Sequence, residues 1–254
     1  MNIDFSFKTV LVTGASGGIG REVAIMFSRC GARVIVHYNT RKEEADKTLS
    51  LLSPGEHFCA RADLSDSMQV EAFSEMVTAA AGHIDFLVNN AGLHEELDIM
   101  SCTYAQWLTS MEKTFALNLM GAANLSFCIG RRMAAADGGK IINISSRGAF
   151  RGEPGAPSYG ASKAGLNAMG QSLAKAFAAA GVFVYTVAPG FVETDMASGV
   201  LNSERGDEIR SQSPLGRVAK PEEVARAVVL LASDGTEFMT GCILDVNGAS
   251  YLRT

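Results

Sequence analysis

Five cysteines are all this chain of 254 residues has (Cys30, Cys59, Cys102, Cys128 and Cys242), an odd number, scattered and without a C-x-x-C pair. That argues against a disulfide framework or a zinc finger and favours reduced thiols in a cytosolic core. The four histidines (His37, His57, His83 and His94) show no metal-ligand spacing, so no metal site is expected. There is one tryptophan, Trp107, and the 11 methionines are spread out as core filler rather than gathered into a groove. Lys and Arg number 22 against 27 Asp and Glu, a net charge of −5 with no basic cluster, which disfavours nucleic acid and anionic membranes as partners. Charged or glycine-rich breaks interrupt every apolar stretch well short of a membrane span, and no charged segment followed by a long apolar run opens the chain. A cytoplasmic protein is expected. No repeat, low-complexity tract or linker divides the sequence, so 1–254 reads as a single domain.

What is present is an alternation. Apolar β-branched runs at Thr9 to Thr13, Val34 to Tyr38, Ile84 to Val88, Ile141 to Ser145, Val182 to Ala188 and Ile243 to Val246 read as buried strands, with His57 to Arg61 as a weaker seventh. Helical patterns fall between them at 19–30, 41–52, 67–81, 104–136, 158–180 and 221–233. The fold class expected is α/β, a Rossmann-type doubly wound domain with a seven-stranded parallel sheet and helices on both faces. Such sheets bind ligands beyond the carboxyl ends of their strands. The long irregular stretch at about 190–214 is expected to be a substrate lid.

After the first strand stands Thr13-Gly14-Ala15-Ser16-Gly17-Gly18-Ile19-Gly20, and then a helix. Glycines at such a turn let the backbone bend sharply and approach a pyrophosphate, which meets the helix N–H groups and dipole. The spacing departs from G-x-G-x-x-G, and a tight connection without a ligand would use the same residues. The end of the second strand bears on the cofactor. A carboxylate there would bind the ribose 2′-hydroxyl of NAD, but the chain reads His37-Tyr38-Asn39-Thr40-Arg41-Lys42, with no acid until Glu43. Arg41 and Lys42 can supply charge to a 2′-phosphate, with Arg21 expected at the same corner, so NADP(H) is the expected cofactor. A solvated first turn of helix is the competing reading of Arg41 and Lys42.

Further motifs follow in chain order: Asp63-Leu64, Asn89-Asn90-Ala91-Gly92, Asn118, Ser145-Ser146, Tyr159-x-x-x-Lys163 and Pro189-Gly190. Tyr159 and Lys163, four apart on a predicted helix, project from one face. A cation beside a phenol favours phenolate and suits acid–base chemistry on an alcohol or carbonyl oxygen. In this order, with the glycine turn before them, the motifs resemble the short-chain dehydrogenase/reductase family over essentially the whole chain. The resemblance implies that Tyr159 is the proton donor, tuned by Lys163, which also holds the nicotinamide ribose. It implies that Ser146 bonds the substrate oxygen and that the backbone of Asn118 holds a water linking Lys163 to solvent. The implied cofactor bed comprises Gly14, Ser16, Gly17, Gly18, Ile19 and Gly20 at the pyrophosphate and Asn39 and Arg41 at the adenosine 2′ position. Asp63 and Leu64 would meet adenine, Asn90, Ala91 and Gly92 its ribose, and Pro189, Gly190, Val192 and Thr194 the nicotinamide. A homotetramer is implied as well.

The stretch Ala188 to Met196, Pro214-Leu215-Gly216-Arg217 and Asn247-Gly248 resemble 3-oxoacyl carrier-protein reductases in particular. An acyl carrier protein is acidic, however, and the charge of −5 leaves Arg131, Arg132, Arg147 and Arg151 as the contacts to steer it. A small-molecule carbonyl or alcohol is the expected partner, with specificity in 94–101, 147–157 and 191–213, where Arg147, Phe150, Arg151 and Glu153 hint at a polar substrate. Sugar or polyol dehydrogenation is the alternative activity, and a non-catalytic NADP-binding regulator the alternative class.

Overall fold

The computed structural model describes residues 3–253. Seven strands, β1 (Thr9–Val12), β2 (Arg33–Tyr38), β3 (Phe58–Arg61), β4 (Phe86–Asn89), β5 (Gly139–Ile144), β6 (Val182–Pro189) and β7 (Ile243–Val246), form one parallel sheet in the order β3-β2-β1-β4-β5-β6-β7. Between them run α1 (Gly18–Arg29), α2 (Lys42–Ser50), α3 (Ser67–Ala81), α4 (Tyr104–Phe115), α5 (Ala122–Ala134), α6 (Gly148–Arg151), α7 (Pro157–Phe177), α8 (Asp195–Leu201), α9 (Gly206–Ser211) and α10 (Pro221–Ala232).

Side chains alternate across each strand, so both faces of the sheet are apolar and both are covered. Val10, Val12, Val34 and Val36 pack with Phe27 of α1 and Val224 and Val228 of α10. Leu11, Ile35, Leu87 and Ile141 face the other way, onto Phe73 of α3, Leu125 and Ile129 of α5 and Ala174 of α7. This is the Rossmann-type arrangement that the strand–helix alternation led us to expect. The strand order reverses between β1 and β4, which opens a crevice at the carboxyl ends of the strands.

Two expectations change in detail. The pattern at 104–136 is not one uniform helix: α4 and α5 are joined by a π-helical stretch, Ala116–Gly121, that carries Asn118. Hydrophobic periodicity does not register a one-residue widening of the helix, and such widenings concentrate at functional sites. Nor is the 190–214 stretch irregular. It folds into α8 and α9, whose Leu201 and Ile209 meet Val218 in a small separate core, with Phe191, Ala197 and Val200 against it. Helices of seven and six residues are too short to display a period.

Candidate functional site

A cleft of about 980 Å³ lies over the carboxyl ends of the strands. One end is built by the glycine turn. Gly14 and Gly18 adopt φ of +62° and +53°, the left-handed region, and a Cβ on Gly14 would lie 2.9 Å from Ala91 Cα. A Cβ on Gly20 would fall 2.5 Å from both Asn90 Nδ2 and Gly14 O, so only glycine lets α1 start this close to β4. Asn90 fastens the turn from the other side, its Nδ2 donating to Thr13 O at 2.8 Å, while the Asn90 and Ala91 amides both donate to Thr13 Oγ1 at 2.9 Å. Gly17 at the start of α1 gives no side-chain cap, so the first N–H groups of the helix keep their donors for a ligand. These are the donors a pyrophosphate needs, and a nicotinamide dinucleotide fits the cleft on that ground.

Ser16, Gly17, Gly18, Ile19, Asn39, Arg41, Leu64, Asn90, Ala91 and Gly92 line this half of the cleft. Gly20 lies beneath it against Asn90, and Asp63 stands behind, its carboxyl held low by the Ser65 hydroxyl and further by the Ser65 amide and Asn39. Arg41 reaches over the turn, its Nη2 3.4 Å from where a Gly17 Cβ would be, and faces Asp195 at 3.6 Å. Arg21 does not join it. Its guanidinium donates to Ser16 O at 2.8 Å, Thr48 Oγ1 at 2.9 Å and Glu44 Oε2 at 2.8 Å, so it stitches α1 to α2 and has no charge to spare for a 2′-phosphate.

The residue that motif reading passed over here is His37. Buried at 2% exposure near the end of β2, it accepts the Gly14 amide on Nδ1 at 3.0 Å and donates from Nε2 to Ala62 O at 3.2 Å. Acceptance on Nδ1 requires the neutral ring, with its proton on Nε2. Burial pulls its pKa down to about 4 from 6.5, against a smaller opposing pull from Ala62 O and Asp63. The folded state therefore binds this proton less tightly than the unfolded chain. Stability is full above pH 6.5 and falls as pH drops toward 4, by about 3 kcal/mol once both values are passed. Thermal unfolding measured across that window should show the loss, and His37→Gln should flatten it; an unchanged acid limb in the variant would remove His37 as its source.

The other half of the cleft is lined by Ser146, Tyr159, Lys163, Pro189, Gly190, Val192 and Thr194. Ser146 leaves the end of β5, and its hydroxyl accepts the Gly148 amide at 3.0 Å. Ser145, the alternative serine, turns away into the core to donate to Lys163 O at 3.3 Å. Tyr159 and Lys163 rise from one face of α7, which starts with Pro157 in its first turn and a backbone preset for helix. Lys163 is 4% exposed; its Nζ donates to Ile144 O at 2.8 Å and lies 5.8 Å from the centre of the Tyr159 ring. Burial lowers Lys163 to about 8. The same burial raises Tyr159, with Ser146 opposing and Glu153 adding to the rise. Lys163 is not among the groups that shift Tyr159, which rises through burial.

Asn118 is 1% exposed and does not line the cleft. Its side chain exchanges two bonds with the Leu93 backbone, at 2.8 and 2.9 Å, and Nδ2 also donates to Ser162 Oγ at 3.2 Å, so it fixes the loop after Gly92. His94 on that loop stacks edge-on against Tyr159, ring centres 4.7 Å apart. All three segments expected to set specificity reach the cleft, through His94 and Glu96, Arg147 to Ala156, and Phe191 to Arg205. Arg147, however, is 3% exposed and is unavailable as a surface contact for a carrier protein. Among the described residues no three His, Cys, Asp or Glu side chains gather as metal ligands, and no helix is long and apolar enough to cross a membrane.

Residues 14–249 match the family model described as Enoyl-(Acyl carrier protein) reductase. The chain is 36% identical over 250 residues to a 3-oxoacyl-[acyl-carrier-protein] reductase of Escherichia coli strain K12, covering 98% of this chain and 100% of that one. It is 34% identical over 247 residues to a protein of the same description from Staphylococcus aureus strain Mu50, covering 96% and 98%. A solved structure titled short-chain dehydrogenase/reductase, glucose/ribitol dehydrogenase, from Brucella melitensis superposes with a TM-score of 0.89 at 31% identity, over 100% of both chains. A second from that organism, titled ribose-5-phosphate isomerase, gives 0.89 and 31% over 98% of this chain and 94% of the other.

Proposed function

The chain belongs to the short-chain dehydrogenase/reductase family, and from that premise we propose that it reduces a carbonyl to an alcohol with NADP(H), Tyr159 giving the proton. The observation that carries this reading is the convergence of Ser146, Tyr159 and Lys163 at one end of a cleft whose other end is the uncapped start of α1. When bound, the nicotinamide supplies a hydride to the carbonyl carbon. The C=O π bond breaks, a C–H bond forms, and the electron pair left on oxygen takes the proton of the Tyr159 hydroxyl. Ser146 donates a hydrogen bond to that oxygen as its charge grows, the role of an oxyanion-hole donor. Lys163, protonated below pH 8, offers the charge that stabilises the phenolate left on Tyr159 and a donor for the ribose hydroxyls. Thr194, whose methyl would lie 3.2 Å from a Cβ on Gly18, sits where its hydroxyl can bond a carboxamide or phosphate oxygen.

The preference for NADP(H) rests on Arg41 and on the missing acid at the end of β2. The acid that faces Arg41, Asp195, pairs loosely at 3.6 Å with both groups exposed, so a 2′-phosphate competes easily for the guanidinium. Arg41→Ala should weaken NADPH by about tenfold to a hundredfold and NADH by less than about threefold. Equal losses in a fluorescence titration of both cofactors would take Arg41 out of the 2′-phosphate site. Exposed Met120 and Phe127, beside and on α5, support assembly into a homo-oligomer, and the chain reads as one catalytic domain of the cytoplasm.

The function is tested by following loss of the reduced cofactor's near-ultraviolet absorbance with a 3-oxoacyl thioester, simple diketones, ketosugars and steroids, NADPH and NADH in parallel. Turnover of any of them with NADPH is expected. Silence across the panel would instead support a non-catalytic NADP-binding protein. The 3-oxoacyl thioester is included because of what the two bacterial relatives are described as reducing.

A further inference from the structure

Arg147 follows Ser146 directly, and its side chain turns inward until the residue is 3% exposed. A buried guanidinium is usually held by a carboxylate, because an ion taken out of water without a counter-charge is strongly disfavoured. Among the described residues Arg147 has no carboxylate within ion-pair distance. Nη1 donates to the Ser250 hydroxyl at 2.5 Å, Nη2 donates to Gln212 Oε1 at 2.6 Å, and the guanidinium lies 5.0 Å from the centre of the Phe191 ring. All three are neutral. Of the acids nearby, Glu223 binds Arg217 at 2.7 Å and Asp245 binds Arg253 at 2.8 Å, while Glu153 faces Arg151 at 3.9 Å and offsets only part of the cost of burying Arg147. Burial accordingly pulls Arg147 down to about 10.

Arg151, one turn further on, donates from Nη1 to the same Gln212 Oε1 at 3.3 Å. Two guanidiniums therefore converge on a single neutral amide oxygen, and both arginines line the cleft. One acid, Glu153, stands against two guanidiniums, and a carboxylate or phosphate offers several acceptor sites and a second negative charge, which would satisfy the pair better than an amide can. Gln212 follows α9 directly, so the atom in that position is carried by the segment that holds α8 and α9.

We propose that Arg147 and Arg151 form a subsite for an oxyanion carried by the substrate close to its reacting carbonyl, and that Gln212 Oε1 holds the place of that oxyanion until substrate enters. The adjacency of Arg147 to Ser146 sets the closeness. This inference rests on the reductase reading of Ser146 and Tyr159. It selects small ketones with a carboxylate or phosphate over neutral ketones and over long uncharged acyl chains.

The test compares two matched pairs with NADPH: acetoacetate against methyl acetoacetate, and dihydroxyacetone phosphate against dihydroxyacetone. The anionic member of at least one pair should be preferred by about tenfold or more in kcat/KM, the pair affected telling carboxylate from phosphate. Arg151→Gln, at a partly exposed side chain whose loss leaves the fold intact, should shrink that preference below about threefold, chiefly through KM. Gln212→Ala should lower KM for the preferred anion, an effect that a merely structural latch would not give. Equal kcat/KM within both pairs, or a 3-oxoacyl thioester outrunning acetoacetate, would overturn the subsite. If none of these ketones is reduced, calorimetric titration of acetoacetate and dihydroxyacetone phosphate separates the two ideas. Binding that Arg151→Gln abolishes would keep the subsite and overturn the reductase reading; no binding would overturn the subsite.

Discussion

Tyr159→Phe is expected to lower turnover by about a hundredfold to ten-thousandfold, the range that a general acid typically contributes, while NADPH still binds. The substitution removes one oxygen and leaves the ring where it is, edge-on to His94 at 4.7 Å and 5.8 Å from Lys163 Nζ. Nothing in the glycine turn or its fastening by Asn90 and Thr13 touches Tyr159, so the donors for the pyrophosphate are unchanged. What is lost is the proton for the developing alkoxide. Ser146 cannot replace it: a hydroxyl at the end of β5 can donate a hydrogen bond, but its ionisation lies far above that of a phenol. Turnover and cofactor affinity should therefore separate cleanly, the first falling steeply and the second by less than about threefold. Retained steady-state activity in the variant would remove Tyr159 from the proton-transfer step.

The sequence made some of this legible for a local reason. Strands buried on both faces carry β-branched and aromatic runs, such as Val34 to Val36 and Val182 to Val187, and Gly14 and Gly190 follow β1 and β6 closely, so the sheet and the carboxyl-end cleft can be traced residue by residue. Asp66 before α3 and the Thr103–Gln106 capping box before α4 mark helix starts in the same local way. What stayed hidden depends on partners far apart in the chain. Whether Arg21 serves a ligand or a helix is decided by Thr48 and Glu44, and only folding brings them to it. His37 becomes part of the glycine turn only because parallel pairing of β1 and β2 sets it beside Gly14. Arg147 reads as a surface cation in a polar loop until the segment after α9 and the chain beyond β7 pack over it with Gln212 and Ser250.

Lys163 sets activity against stability, and Lys163→Met should show both. The ammonium is 4% exposed and has one hydrogen-bond partner, the neutral carbonyl of Ile144, at 2.8 Å. Burial lowers its pKa from 10.5 to about 8, so the folded state holds this proton less tightly than the unfolded chain. At neutral pH the difference destabilises the cofactor-free protein by about 3 kcal/mol. Methionine fills a similar volume without charge and forfeits one hydrogen bond, about 1 kcal/mol, which leaves the variant more stable by about 2 kcal/mol at pH 7. Its unfolding midpoint should rise by about 4–8 °C. The sign of the pH dependence is fixed as well. The penalty is full below pH 8, shrinks as pH rises from 8 toward 10.5, and vanishes above, where both states are neutral; the gap between wild type and variant closes over that interval. Turnover should fall by about a hundredfold or more, since the charge that stabilises the Tyr159 phenolate is gone. Thermal unfolding of the cofactor-free proteins at pH 7 and pH 10, beside steady-state rates, measures both effects. A variant less stable than wild type at pH 7 would mean that the buried ammonium is compensated in the folded protein, and that its place beside Tyr159 carries no opposition between the two.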